Sequence, residues 1–238
     1  MVGVQSYLEE IVEASRENRK LLAILIDPDK FNESESAAFF LKLPQQTTHI
    51  FVGGSTVSKG KTCEVVKIIK NVTGLPVILF PGDHSQISEH ADALLFLSLI
   101  SGRNPEYLIE QQVRSVEKIR KTTLEIIPTG YILIDGGKET SVQKVSNTLP
   151  LAQNNIRQIL NTALAGQYSG KKLIYLEAGS GAKFPVSSEI IHAVKEALEI
   201  PVIVGGGIRS PEQLQVTYEA GADLVVMGTA FENGFFRN

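Results

Sequence analysis

Eight short apolar runs, each followed by a polar or turn-forming residue, constrain this chain more than any other feature. They are Leu21–Ile26 before Asp27, Ile50–Val52 before Gly53, Val77–Phe80 before Pro81, and Ala93–Leu97. Further on come Ile132–Ile134 before Asp135, Leu173–Leu176, Val202–Val204 before Gly205, and Leu224–Met227 before Gly228. The apolar residues are consecutive rather than alternating, which suits strands buried on both faces of a parallel sheet. Helical patterns separate most of the runs. Val65, Ile68, Ile69 and Val72 share one helix face, as do Ile109, Val113 and Val116, and again Ile190, Val194 and Leu198. Ser210-Pro211-Glu212-Gln213 reads as a helix start, with a serine cap, proline at the first position and glutamine placed to close a capping box. A first helix is expected around Tyr7 to Val12.

Strands alternating with helices predict an α/β fold with right-handed crossovers. Eight units in 238 residues match a single (β/α)₈ barrel, which typically takes roughly 250. The expectation is one domain over residues 1–238. An open doubly wound sheet is disfavoured because its first turn is usually glycine-rich, whereas here that turn reads Asp27-Pro28-Asp29-Lys30. Gly82 to His90 leaves nine residues between the third and fourth strands. The third crossover helix is therefore expected to be missing or replaced by extended structure. Only Phe231 to Asn238 follows the eighth strand, which predicts a short or absent final helix.

Composition narrows the function classes. Hydrophobic residues make up 43% of the chain and charged residues 21%, enough apolar surface for a sizeable core. The net charge of −3 gives no basic field for nucleic acid or an anionic membrane. The single cysteine, Cys63, excludes an internal disulfide and has no zinc-ligand spacing. It reads as a free thiol in a reducing setting. The longest near-apolar run, Ala91 to Ile100, is too short to span a bilayer. The N-terminal residues lack a signal-peptide layout, so the cytoplasm is the expected location.

In such a barrel the C-terminal ends of the strands carry the chemistry. Gly179-Ser180-Gly181, Gly205-Gly206-Gly207 and Gly228-Thr229 follow strands six, seven and eight. Glycine lets backbone amides approach a ligand, and such amides form anion-holding concavities. The competing explanation is that these glycines only turn the chain. Asp27 and Asp29 beside Lys30 suit a hard cation with phosphates, or a solvated turn. Ser55, after Gly53-Gly54, adds a neighbouring hydroxyl. Glu177, at the end of an apolar strand, suits a general base or a ligand for substrate hydroxyls. Its alternative is an ion pair closing the barrel interior. Asp135 carries the same ambiguity, and His84 is a loop candidate that reads more simply as a solvated residue. His49, His90 and His192 show no ligand spacing.

The motifs Ile26-Asp27-Pro28-Asp29-Lys30, Phe51-Val52-Gly53-Gly54-Ser55 and Leu79-Phe80-Pro81-Gly82 resemble those of a known family. So do Ile127-Pro128-Thr129-Gly130-Tyr131, Tyr175-Leu176-Glu177-Ala178-Gly179-Ser180-Gly181, Val204-Gly205-Gly206-Gly207-Ile208-Arg209 and Gly228-Thr229. The family is the geranylgeranylglyceryl phosphate synthases and their heptaprenylglyceryl relatives. The resemblance runs over nearly the whole chain, and its most specific parts are Tyr-Leu-Glu-Ala-Gly-Ser-Gly, Asp-Pro-Asp-Lys and Gly-Gly-Ser. It implies a Mg²⁺-dependent prenyltransferase that joins sn-glycerol 1-phosphate to a polyprenyl diphosphate by an ether bond, releasing diphosphate. It also implies homo-oligomers and a barrel without its third helix. Carried over by motif, Asp27 and Ser55 lie on the magnesium side. Tyr175, Leu176, Glu177, Ala178, Gly179, Ser180, Gly181, Gly205, Gly206, Gly207, Gly228 and Thr229 hold glycerol phosphate, with Glu177 facing the attacking hydroxyl. The short segment after strand eight departs from the family pattern. The glycine clusters by themselves also fit a flavin-mononucleotide oxidoreductase, a sugar-phosphate isomerase or lyase, or a non-catalytic phospholigand-binding barrel, and fold alone does not separate these.

Overall fold

The computed structural model describes residues 6–228. Thr229 and the segment Phe231 to Asn238 lie outside them. Eight parallel strands close into a barrel in sequence order, with the eighth pairing back to the first. They are β1 (Leu21–Ile26), β2 (Thr47–Val52), β3 (Val77–Leu79), β4 (Ala93–Leu99), β5 (Glu125–Leu133), β6 (Leu173–Glu177), β7 (Val202–Gly205) and β8 (Leu224–Met227). The helices are α1 (Tyr7–Arg16), α2 (Ser36–Leu41), α3 (Lys61–Val72), α4 (Gln111–Ile119), α5 (Ser141–Ser146), α6 (Ile156–Tyr168), α7 (Ser188–Ala197) and α8 (Pro211–Glu219).

Two packed layers explain the continuous apolar runs. Along β1, Leu21 and Ala23 point into the barrel with Phe51, Leu95, Ile127, Tyr175 and Ile203. Leu22, Ile24 and Ile26 point outward, into the layer between strands and helices with Val65, Ile69, Ile174 and Val204. Each strand is thus covered on both sides, and neither face tolerates a polar alternation. Helix α1 plugs the lower end of the barrel with Ile11 and Ala14. Its N-terminus is held by Glu125, whose carboxylate accepts from the Ser6 hydroxyl at 2.6 Å, Tyr7 N at 2.6 Å and Leu8 N at 3.2 Å. An acid at a helix N-terminus satisfies otherwise unpaired amides and complements the helix dipole.

β5 starts seven residues before the apolar run Ile132–Ile134 that marks it in the sequence. Pro128 is tolerated inside it because pairing with β6 begins only at Thr129↔Leu173. The missing N–H of Pro128 therefore costs no ladder bond on that side. The α8 start forms as read: the Ser210 hydroxyl accepts from Gln213 N, and Gln213 Oε1 reaches one residue further back, to Arg209 N at 2.7 Å.

No helix occupies the connection from β3 to β4. That segment is pinned by a buried side chain, Gln86. Its Oε1 accepts from Gly54 N at 3.3 Å and Gly82 N at 3.2 Å, and its Nε2 donates to Gly54 O at 2.9 Å. Ile87 and Ala91 fill part of the core that a crossover helix would otherwise cover.

One helical reading needs correction. Ile109, Val113 and Val116 do share a face, but it is the outer one, with exposures of 56, 58 and 43%. The residues turned to the sheet are Gln112 and Ser115. A single π turn, Glu106–Glu110, leads into α4, and such a turn changes the phase of the helix that follows. The inward position then suits Gln112, whose Nε2 donates to Leu97 O and lies 3.3 Å from Ser98 Oγ. In α3 the buried set is Val65, Val66 and Ile69, with Val72 at the exposed end.

Candidate active site

Glu177 is the last residue of β6 and shares the inward face of that strand with Leu173 and Tyr175. It stands at the mouth of the barrel, on top of an aromatic column. Tyr131 and Tyr175 stack with ring centroids 5.3 Å apart, Phe80 stacks on Tyr175 at 5.2 Å, and Phe51 on Phe80 at 6.3 Å. The column leaves little room for water beneath the carboxylate, which is 7% exposed.

Burial raises the Glu177 pKa above the ordinary carboxylate value, opposed by the neighbouring Tyr175 hydroxyl and by the Gly179 amide. That amide donates to Oε1 at 2.6 Å. The Tyr175 hydroxyl stands close enough for each group to move the other's titration, but it forms no well-aligned hydrogen bond with any described residue. Burial, together with the Glu177 charge, pushes both Tyr131 and Tyr175 well above their usual values. Both therefore stay neutral, and Glu177 is the carboxyl group placed here to exchange a proton.

The glycine clusters surround this carboxylate. Gly205 pairs with Glu177 across β6 and β7. A Cβ at 205 would fall 2.2 Å from the Tyr175 hydroxyl and 2.8 Å from Glu177 Oε2. Gly206, at φ +83, would place a Cβ 2.5 Å from Glu177 Oε1. Gly179, at φ +99, would place one 2.1 Å from Thr140 Cγ2. Part of the requirement for glycine is thus packing around Tyr175 and Glu177. The same left-handed turns at strand ends are the backbone that builds anion-holding nests. Gly228 is different, since among the described residues a Cβ there meets nothing closer than 3.6 Å. Leu176 and Ala178 are fully buried in the outer layer and support the strand end rather than face the mouth. Thr229 lies outside the described residues.

On the opposite side of the mouth, Asp27 follows β1. Its Oδ1 accepts from Asp29 N at 3.1 Å, and its Oδ2 lies 3.1 Å from Lys30 Nζ, with the side chain 25% exposed. Gly54 packs against Asp27, with the position of a Cβ there 3.3 Å from Oδ1. The half-buried Ser55 comes next. Asp29 is instead occupied by Ser58 N, at 3.0 and 3.1 Å. Among the described residues no group of three or more His, Cys, Asp or Glu could hold a metal ion. The Asp27 carboxylate, engaged by Asp29 N and Lys30 Nζ, is still a hard ligand that fits Mg²⁺, which commonly takes one or two carboxylates and completes its octahedron with water and substrate phosphate.

Asp135 falls two residues beyond the end of β5 and turns outward, where its Oδ1 accepts from Gly137 N at 2.8 Å. It is a turn residue. His84 is tied to α4 through Gln111 Oε1, at 2.8 Å from its N and 2.9 Å from Nδ1. It belongs to the wall of a cleft that sequence motifs do not announce. This cleft opens where the third helix is missing and runs from Gly54 and Ser55 past Phe80, Leu97 and Tyr107 to Gln112. Its lining is mainly apolar. The short gap between the third and fourth runs was the only sequence signal for it.

The PcrB family model matches residues 13–238. The chain is similar to the geranylgeranylglyceryl phosphate synthase of Zunongwangia profunda, at 59% identity over 97% of this chain and 98% of that protein. It is similar to the protein of the same name from Pyrococcus furiosus, at 42% identity over 95% of this chain and 90% of that one. Among solved structures it resembles (S)-3-O-geranylgeranylglyceryl phosphate synthase from Thermoplasma acidophilum in complex with sn-glycerol-1-phosphate. The TM-score is 0.89 at 36% identity, covering 97% of this chain and 93% of that one. With the family model spanning all but the first residues and relatives matched nearly end to end, the chain belongs to the PcrB family.

Proposed function

We propose that this chain is a prenyltransferase joining sn-glycerol 1-phosphate to a polyprenyl diphosphate, of which geranylgeranyl diphosphate is the preferred candidate, and releasing diphosphate. The observation that carries the reading is a meeting of two unlike surfaces at one mouth. A buried carboxylate ringed by glycine turns stands on an aromatic column, and two rings of that column, Phe80 and Tyr131, also line an apolar cleft that includes Ser55. A small polar acceptor and a lipid donor need such a junction, and a flavin or sugar-phosphate reaction does not.

In this account the amides of Ser180, Gly181, Gly205 to Gly207, Gly228 and Thr229 hold the acceptor phosphate, while the Gly179 amide stays on the Glu177 carboxylate. Tyr175 and Glu177 border the glycerol. Glu177 takes the proton from the attacking hydroxyl, because a neutral alcohol is a poor nucleophile. The prenyl tail lies in the cleft, which keeps water from the allylic carbon. Asp27 and Ser55 are the residues that would hold Mg²⁺ at the diphosphate end, and the ion would supply positive charge to neutralise the leaving group. No helix among the described residues is long and apolar enough to cross a membrane. The lone thiol Cys63 suits a reducing compartment, and the cytoplasm is the proposed location.

The test is a panel of prenyl diphosphates of increasing length with labelled sn-glycerol 1-phosphate and Mg²⁺. Labelled ether lipid is expected, with one length preferred, and it disappears in EDTA. Absence of ether product from every donor would overturn the reading. Full activity in EDTA or in Asp27→Asn would remove the metal and Asp27 from it.

A further inference from the structure

A second surface adjoins the mouth on the side of β4 to β6. Three loops pack together there. Lys183 N and Phe184 N both donate to Gly136 O, at 2.8 and 3.1 Å. Gln153 Nε2 bridges Asp135 O at 2.9 Å and Pro185 O at 3.1 Å. From this platform project Leu149, 78% exposed, and Phe184, 60% exposed.

The charges around them are not balanced locally. Glu139 is engaged by Lys144 at 3.0 Å, and Asp135 caps the Gly137 amide. Lys138, Lys183, Arg103 and Arg157 have no carboxylate partner among the described residues. Arg103 and Arg157 flank an open groove between the segment after β4 and α6, whose lining includes Asn155 and Asn161 and no acidic residue. The platform is also continuous with the apolar cleft. Val142, Val145 and Ser146 of α5 line that cleft, and Asn104, next to Arg103, donates to Ser146 O at 2.8 Å.

We propose that this rim docks the barrel on an anionic bilayer surface, with Leu149 and Phe184 entering the headgroup layer and Arg103, Arg157, Lys138 and Lys183 meeting lipid phosphates. Apolar side chains ringed by unpaired cations are the pattern of interfacial binding. The net charge of −3 supplies no long-range attraction, so contact rests on this local rim and is salt-sensitive. A second copy of the chain fits less well, because two copies of one cationic rim repel. The inference rests on the proposed lipid substrate for its purpose, since it brings the cleft to the membrane that holds donor and product. The docking itself is separately measurable.

The experiment is co-sedimentation of the full chain, without substrates, on phosphatidylcholine vesicles with and without phosphatidylglycerol, at low and high salt. Binding is expected only with phosphatidylglycerol, and it is lost at high salt. Leu149→Ser, Phe184→Ser and Arg157→Glu each lower it, the charge reversal by about fivefold or more. Leu149→Ser and Arg157→Glu leave turnover of a short water-soluble prenyl donor unchanged and lower turnover of a vesicle-embedded one. Failure to bind phosphatidylglycerol vesicles, or binding indifferent to all three substitutions, overturns the proposal. So does sedimentation velocity showing that Leu149→Ser splits an oligomer. Vesicle binding that persists in a chain making no ether from any donor would sink the prenyltransfer reading and leave the docking intact.

Discussion

Glu177 is held as a base by opposing influences. Desolvation makes its proton harder to remove, while the Gly179 amide and the Tyr175 hydroxyl favour the charged form, and the net direction is upward. A base with a raised pKa accepts a proton more readily than an ordinary carboxylate does. Rate should therefore fall as pH drops through a pKa above that of an ordinary carboxylate. Glu177→Gln keeps an acceptor for the Gly179 amide but cannot take a proton. Turnover should drop by roughly 10²–10⁴-fold, and the acid limb of the pH profile should vanish with it. The melting temperature should not fall, because a desolvated charge has been removed. Unchanged turnover would remove Glu177 from the mechanism. A large loss of melting temperature with turnover preserved would make it a structural residue.

The glycines illustrate how one residue type serves two purposes. Gly206→Val would crowd the phosphate cup. Its left-handed φ and the 2.5 Å approach to Glu177 Oε1 mean that it also strains the fold and disturbs the base. Gly228→Ala is cleaner, since the new methyl group has 3.6 Å of clearance from Leu25. A near-wild-type melting curve with a raised KM for glycerol phosphate is expected. An unchanged KM would take Gly228 out of the cup.

At the scale of elements, Gln86 does work that a helix does elsewhere in the barrel. Three hydrogen bonds from one buried amide hold the turns after β2 and β3 together. Gln86→Ala would leave buried amides unpaired, at about 1–3 kcal/mol. It should lower the urea midpoint and raise KM for the prenyl donor more than for the acceptor, because the cleft wall loosens. Equal effects on both substrates would contradict a role specific to the cleft.

Much of the element layout is legible in the chain, for physical reasons that also mark where it stops. β1 and β8 coincide with their apolar runs because both faces of each are buried in apolar layers. β5 does not, because Pro128 and Gly130 interrupt its apolar character while the ladder continues through them. The outward turn of Ile109, Val113 and Val116 was hidden because periodicity reports that a face exists, not which side of the helix packs. The position of the site was readable from glycines and acids at strand ends. Its aromatic column was not, since Phe51, Tyr131 and Tyr175 lie on three strands and Phe80 just beyond a fourth, and they meet only on barrel closure.

For the whole molecule, acid sensitivity has a definable source far from the mouth. His49 is fully buried on the inner face of β2, and desolvation, helped by Arg19, lowers its pKa to about 4. Its Nδ1 contacts Thr48 Oγ1 at 2.7 Å, and Nε2 has no hydrogen-bond partner among the described residues. The unfolded chain binds a proton at His49 below about pH 6.5, whereas the folded chain stays unprotonated until about pH 4. Stability contributed by neutral His49 is complete above pH 6.5 and declines as pH falls toward 4, by up to about 3 kcal/mol. Urea titrations across that window should show the decline, and His49→Gln should flatten it. An unchanged slope in the variant would assign the effect to other groups.

The central claim is that one mouth brings a glycerol hydroxyl and an allylic diphosphate together and couples them. The most direct measurement is the stoichiometry of a single reaction of the purified chain with geranylgeranyl diphosphate, sn-glycerol 1-phosphate and Mg²⁺, following diphosphate and prenyl products by mass spectrometry. One ether phosphate for each diphosphate released is predicted, with no free prenol. Diphosphate released together with prenol and no ether, or no diphosphate released at all, would contradict it.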